Sequence, residues 1–264
     1  MNAVLDIFQA AGITVKENSF DCDAAVIWSV LWNGRMKPNQ AVYTHYRSTN
    51  RPVVIIEIGA LYRNTTWKIS VNHITNQGYY GHTLNLDWDR PRKLKISLAT
   101  SLRPKPNIML ALQHQRSLQV ADIADMVQWT HNQITMLRQH TDRPIVIRPH
   151  PRSSVSLGAL PSGVTIETPK RIPNTYDSFD MHFDCHAVVN HNSGPGIQAA
   201  IAGIRPVVDG SSLAQPVSVT MADIEKPYDL DRYLWLVQIC HTEYTLEEIK
   251  SGLWLKRIRS ALVV

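Results

Sequence analysis

Residues 190–208, Asn-His-Asn-Ser-Gly-Pro-Gly-Ile-Gln-Ala-Ala-Ile-Ala-Gly-Ile-Arg-Pro-Val-Val, constrain the fold of this chain more than any other stretch. The apolar run Ala187-Val188-Val189 that leads into them reads as a buried strand, a small polar and glycine turn follows, and Ile197 to Ala202 reads as a helix. Gly203 stops that helix, and Arg205-Pro206-Val207-Val208 begins another strand. Such a strand, turn, helix and strand belong to α/β architecture. The turn also has a chemical reading. Backbone N–H groups at a helix start lack partners within the helix and sit at the positive end of its dipole, so a phosphate or diphosphate is their natural guest. Gly194 and Gly196 would let a ligand approach the backbone, Ser193 adds a hydroxyl, and Asn192 can cap or donate. A purely structural turn would have the same composition, and that alternative stays open at this point.

Strand and helix signals alternate along both halves, which predicts largely parallel sheets. In the first half, Ala24 to Leu31, Pro52 to Ile58 and Trp67 to Val71 read as strands and Asn39 to Arg47 as a short helix. Asn76 to Arg92, rich in Gly, Tyr, His, Asp and Trp, has no clean period and reads as a long functional loop. The proline-marked stretch Lys93 to Asn107 is the expected passage to a second domain. There Ile108 to Leu112, Pro144 to Ile147 and Val164 to Glu167 read as strands, with Asp122 to His140 an amphipathic helix. Leu246 to Leu262 places Ile249, Leu253, Leu255, Ile258 and Leu262 on a near-helical spacing, which predicts one terminal helix packing back across the domains. The expected domains are residues 1–103, 104–245 and that terminal segment, 246–264.

The balance of 27 Lys and Arg against 22 Asp and Glu gives a net charge of +5 before any of the 11 histidines is protonated. A mild positive balance suits nucleotides, nucleic acid or an anionic surface without choosing among them. No apolar run approaches the roughly 20 residues that span a bilayer, and the N-terminus lacks a basic start and cleavage site, so a cytoplasmic protein is expected. Cys22, Cys185 and Cys240 are odd in number and have no metal-type spacing, which predicts neither a disulfide framework nor a zinc site.

Arg148-Pro149-His150-Pro151-Arg152 follows a strand, and in a parallel sheet the strand C-termini line the ligand crevice. Arg148 can hold phosphate in a fork, and His150 can neutralise a diphosphate leaving group; a rigid basic surface loop is the alternative. His114, Arg116 and Ser117, just past Ile108 to Leu112, are further candidates for the same site. Glu57 ends an apolar strand, where a carboxylate suits a general base facing a crevice; a salt bridge to Arg51 or Arg63 is the competing reading. Asp87 and Asp89 compete for that role, and their Asp-x-Asp spacing is a weak metal signal, so no metal is expected. Tyr79, Tyr80 and Trp88 read as loop-borne aromatics for a sugar ring or base, whereas Trp28 and Trp67 fit core packing equally well.

Together, Arg148-Pro149-His150-Pro151, then His191-Asn192-Ser193 with Gly196, Gln198 and Ala199, and then Gly203-x-Arg205-Pro206-Val207-Val208, resemble the second domain of GT-B glycosyltransferases. The resemblance is to the capsule-polysaccharide group that includes Kdo transferases, and it covers about residues 145–210. It implies an α/β, GT-B-like chain of two Rossmann-like domains facing a cleft, with a nucleotide sugar on the second domain and the glycosyl acceptor on the first. It would place Arg148, His150, Ser193, Gly194 and Gly196 around the donor diphosphate, with Glu57 as base. The group's glutamate is Gln198 here, which keeps a hydrogen bond to a donor hydroxyl and drops the charge. The implied reaction is sugar transfer from the nucleotide sugar to a hydroxyl with no further cofactor. The basic, aromatic first half favours hydroxymethylated bases of phage-type DNA as that acceptor, which would require base flipping; a cell-surface glycan is the alternative. A nucleotide-sugar epimerase and a noncatalytic nucleic-acid-binding module are the rival classes.

Overall fold

The computed structural model describes residues 2–100, 105–153, 155–174, 179–180 and 184–262. Nine strands are described in it: β1 Ala25–Trp28, β2 Val53–Ile58, β3 Thr66–Val71, β4 Ile108–Ala111, β5 Ile145–Arg148, β6 Val164–Ile166, β7 Ala187–Asn190, β8 Arg205–Val208 and β9 Glu243–Thr245. The helices are α1 Asn2–Ala10, α2 Pro38–Ser48, α3 Arg90–Lys93, α4 Met126–Arg138, α5 Gly194–Ile201, α6 Tyr233–Cys240, α7 Leu246–Lys250 and α8 Leu253–Ile258. The chain divides into two units, Met1–Lys95 with Val237–Val264, and Ile96–Leu236. The boundary expected at 103/104 lies outside the described residues, and the second division falls inside α6 rather than at 245/246.

The first unit holds a four-stranded sheet in the order β1-β2-β3-β9. β1 and β2 run parallel, but β2 with β3 and β3 with β9 are antiparallel, so the expectation of a largely parallel sheet fails here. Residues 59–65, which join β2 to β3, are too few for the crossover that a parallel pair needs. The run Val53-Val54-Ile55-Ile56 is buried on both faces. Val54, Ile56, Ile69, Val71 and Tyr244 pack one face against Val4 and Phe8 of α1 and against Ile249, Trp254, Leu255 and Ile258 near the C-terminus. That C-terminal segment therefore belongs to the first unit's core. It is also not one helix: Gly252, at φ +71°, separates α7 from α8, and a capping box between Thr245 and Glu248 starts α7.

The second unit is a five-stranded, all-parallel sheet in the order β6-β5-β4-β7-β8. Its central strands are continuous apolar runs because both faces are covered. Ile108 and Leu110 face Ile134 and Leu137 of α4, while Met109 and Val188 pack with Ala199 of α5 on the other side. Asp125 starts α4 by accepting from the backbone N–H of Val127 (2.7 Å) and Gln128 (3.2 Å).

Candidate functional site

From β4 the chain builds outward to β5 and β6, then returns to the centre at β7 and builds the other way to β8. The strand order reverses between β4 and β7, and at such a point the carboxyl ends of the strands leave a ligand crevice. Gln113 and His114 follow β4 there, and His191, Asn192 and Ser193 follow β7. Gln113 and Asn192 join the two sides reciprocally: the Gln113 amide donates to Asn192 Oδ1 (3.0 Å), and the Asn192 backbone N–H donates to Gln113 Oε1 (2.9 Å). Asn192 Nδ2 donates further to Gln119 O (2.8 Å) and Ser211 Oγ (2.9 Å), so this buried side chain ties three loops together and does not cap α5.

Ser193 is the residue before α5, in extended conformation, and its side chain makes no cap hydrogen bond. Its Oγ accepts from Asn190 Nδ2 (2.9 Å), which leaves the hydroxyl proton to donate. Pro195 has no N–H and the Gly196 N–H returns to Ser193 O (3.2 Å), so the turn presents the Ser193 hydroxyl and the Gly194 N–H rather than a full ring of amides. Gly196 is required for packing. A Cβ there would meet Val208 Cγ1 at 2.7 Å and Asn190 Oδ1 at 2.8 Å. Gln198 lies further along α5, half-buried.

The loops after β4 and β5 meet beside this turn. The His114 and His150 rings stand edge to face with centroids 5.3 Å apart. The Arg116 N–H donates to His114 Nδ1 (3.1 Å) and the Arg152 N–H to His150 Nδ1 (3.2 Å), which leaves each Nε2 to carry the donating proton. Burial, and then the charges of Arg152 and Arg116, hold the His114 pKa below the ordinary histidine value. The His114 ring also hydrogen-bonds the backbone of Arg152, which ties the two loops together. Arg148 is placed otherwise. It is buried, and its Nη2 donates to Asp180 O (2.8 Å) and Oδ1 (2.7 Å), so one side of the guanidinium expected on the diphosphate is engaged within the chain, while its buried Nη1 has no hydrogen-bond partner among the described residues.

Asp122, His191 and Asp209 each offer one ligand atom, all within 4.8 Å of one another, which among the described residues is the group able to hold a metal ion. His191 Nε2 and Asp122 Oδ1 already face each other at 3.1 Å. Gln113 and Asn190 also belong to the site in the crevice. Their signal is a polar residue directly after an apolar strand.

In the first unit, Glu57 lies near the C-terminal end of β2 beside the end of β1. Its Oε2 accepts from Ser29 Oγ (2.8 Å) and the Val30 N–H (3.3 Å), and its Oε1 from the Ile58 N–H (2.9 Å). Ser29 has φ +66°, a strained conformation for a residue with a side chain. Arg51 donates instead to the carbonyls of Phe20 (3.1 Å) and Cys22 (2.6 Å). Asp87 is ion-paired to Lys93 (2.6 Å), and Asp89 is held in a fork by Arg92. Their hydrogen bonds to those cations pull both carboxyls below the usual range, which does not suit a general base. Tyr79 and Trp88 are exposed, whereas Tyr80 is 0 % exposed and lies in the interior. Tyr80 is therefore removed from the aromatic surface that the sequence predicts.

No protein-family model matches the chain, and no curated protein matches it. Among solved structures it is similar to the beta Kdo 2,4 transferase of Thermosulfurimonas dismutans KpsC, at 12% identity over 95% of this chain and 93% of that one, with a TM-score of 0.52. It is also similar to the beta Kdo 2,7 transferase of the same KpsC, at 16% identity over 95% and 87%, with a TM-score of 0.45. The first likeness is one of fold, and the α/β architecture with its parallel sheet fits a GT-B-like fold. No described helix is long and apolar enough to cross a membrane.

Proposed function

We propose that this chain is a glycosyltransferase that moves a sugar from a nucleotide-sugar donor to a hydroxyl of a glycan. The observation that carries the reading is the crevice at the strand-order reversal of the second unit. There, buried Gln113, His114, Asn190 and Asn192 converge on a helix start whose N-terminal serine does not cap it. In this reading the Ser193 hydroxyl and the Gly194 N–H hold the donor phosphates and stabilise the departing nucleotide, with the His114 and His150 rings packed beside them. Gln198 binds a donor hydroxyl. Glu57 of the first unit takes the proton of the attacking hydroxyl, whose oxygen bonds to the anomeric carbon as the bond from that carbon to phosphate breaks.

A glycan is favoured over DNA on two grounds. The similar solved structure with the higher TM-score is named as a Kdo transferase. The burial of Tyr80 thins the surface on which bases would stack. The test is release of free nucleotide from CMP-, UDP- and GDP-sugars, with an oligosaccharide panel or hydroxymethylated DNA as the added component. Glycan-dependent release is expected. DNA-dependent release would move the acceptor to nucleic acid, an epimer formed without any acceptor would make the chain an epimerase, and neither binding nor release would overturn the reading.

A further inference from the structure

Lys68 is a buried cation that the chemistry above does not use. It lies in β3 with 6 % of its surface exposed, directly opposite Glu57 of β2 on one side and Glu243 of β9 on the other. The three side chains form one row on one face of the sheet. Both carboxylates are occupied by other donors. Glu243 accepts from the N–H groups of Ala60 (2.6 Å) and Leu61 (3.0 Å) and from Thr66 Oγ1 (2.7 Å), which fixes the turn between β2 and β3. Glu57 holds Ser29, Val30 and Ile58 as described. Among the described residues, no hydrogen bond or ion pair joins either carboxylate to the Lys68 ammonium. Burial lowers the pKa of this amine, while the charges of Glu243 and then Glu57 oppose the shift.

A cation more than nine-tenths buried without a contact partner is costly. This one stands at the end of the sheet where β1 and β2 finish and where Ser29 is held in a strained conformation. Opposed side chains on neighbouring strands have Cβ atoms about 5 Å apart, so a single hydroxyl can reach both the ammonium and the carboxylate. An anion there would be repelled by Glu57 and Glu243 alike, so an uncharged hydroxyl fits better. Of the other groups on this face, Ser70 and Tyr80 have buried hydroxyls and add no charge.

We propose that Lys68 and Glu57 together hold the attacking hydroxyl of the glycosyl acceptor, Lys68 donating to its oxygen and Glu57 accepting its proton. This rests on the reading of Glu57 as base. The hydroxyl proton passes to Glu57, the oxygen lone pair bonds to the anomeric carbon, and the electron pair of the broken bond leaves with the nucleotide. Lys68 stays an ammonium throughout and stabilises the charge that grows on the oxygen.

Two measurements test it. In native protein treated with acetic anhydride over a pH series, peptide mass spectrometry should find Lys68 acetylated, with a midpoint below that of the exposed lysines. Lys68 labelled only after unfolding would mark a sealed structural amine and overturn the proposal. In nucleotide release, Lys68→Met should lower kcat about a hundredfold or more with the donor KM unchanged, and Lys68→Arg should recover part of it. Unchanged kcat in a folded Lys68→Met protein would overturn the proposal while leaving Glu57 in place. Full activity of Glu57→Gln would remove the base itself, and this arrangement with it.

Discussion

Tyr80 and Trp88 belong to the same unpatterned stretch of sequence, yet one is sealed in the interior and the other is 54 % exposed. Nothing in residue type separates them; Tyr80 follows Tyr79, whose backbone bridges to Val71, and alternation turns it inward. Its hydroxyl is buried without a hydrogen-bond partner, so Tyr80→Phe should leave the urea midpoint unchanged or raise it, with no effect on turnover. A clear loss of activity in a stable Tyr80→Phe protein would return the residue to the site. Arg148 shows the reverse difficulty. Its place after β5 was legible from the sequence, but its engagement by Asp180, far along the chain, was not. Arg148→Ala should destabilise the fold by about 3 kcal/mol in urea unfolding, because it removes the cation paired with the largely buried Asp180 carboxylate. A change below about 1 kcal/mol would show that the pair carries little.

At the scale of elements, the second unit was the more legible because strands buried on both faces must be apolar throughout, and Ile108-Met109-Leu110-Ala111 and Ala187-Val188-Val189 have no other use. β9 has no signature in the sequence because Glu243-Tyr244-Thr245 is mostly polar and becomes a strand through pairing with β3. The break at Gly252 interrupts a spacing that reads as one helix. In the candidate site, the turn at 190–196 was visible as a motif, but the role of Gly196 was not, since it depends on Val208 lying against α5. Gly196→Ala should cost about 1–3 kcal/mol through that contact. An unaltered thermal midpoint would mean that α5 is free to shift away from Val208.

At the scale of the whole molecule, burial sets the response to acid. His241 is 2 % exposed and accepts the Asp87 N–H at Nε2 (3.0 Å). Burial first, then Arg257 and Arg90, lower its pKa to about 4. In the unfolded chain it takes a proton below about pH 6.5. Between these values the unfolded state binds more protons than the native state, so stability falls as the pH drops from about 6.5 to about 4, by on the order of 2 kcal/mol from this group. His82, His114 and His186, each lowered chiefly by burial, act in the same direction. Urea unfolding at pH 7 and pH 4.5 measures the loss, and His241→Gln should reduce it; an identical loss in that variant would assign it elsewhere.

The proposed function requires a nucleotide phosphate to bind at the start of α5 in the second unit, and the decisive experiment is hydrogen exchange of the native protein titrated with nucleotides and nucleotide sugars. Slowed exchange in the segments after β4, β5 and β7, lost in Ser193→Ala with His114→Ala, is the expected result. Saturating nucleotide that leaves exchange at 191–197 unchanged, or that protects only other segments, would contradict it.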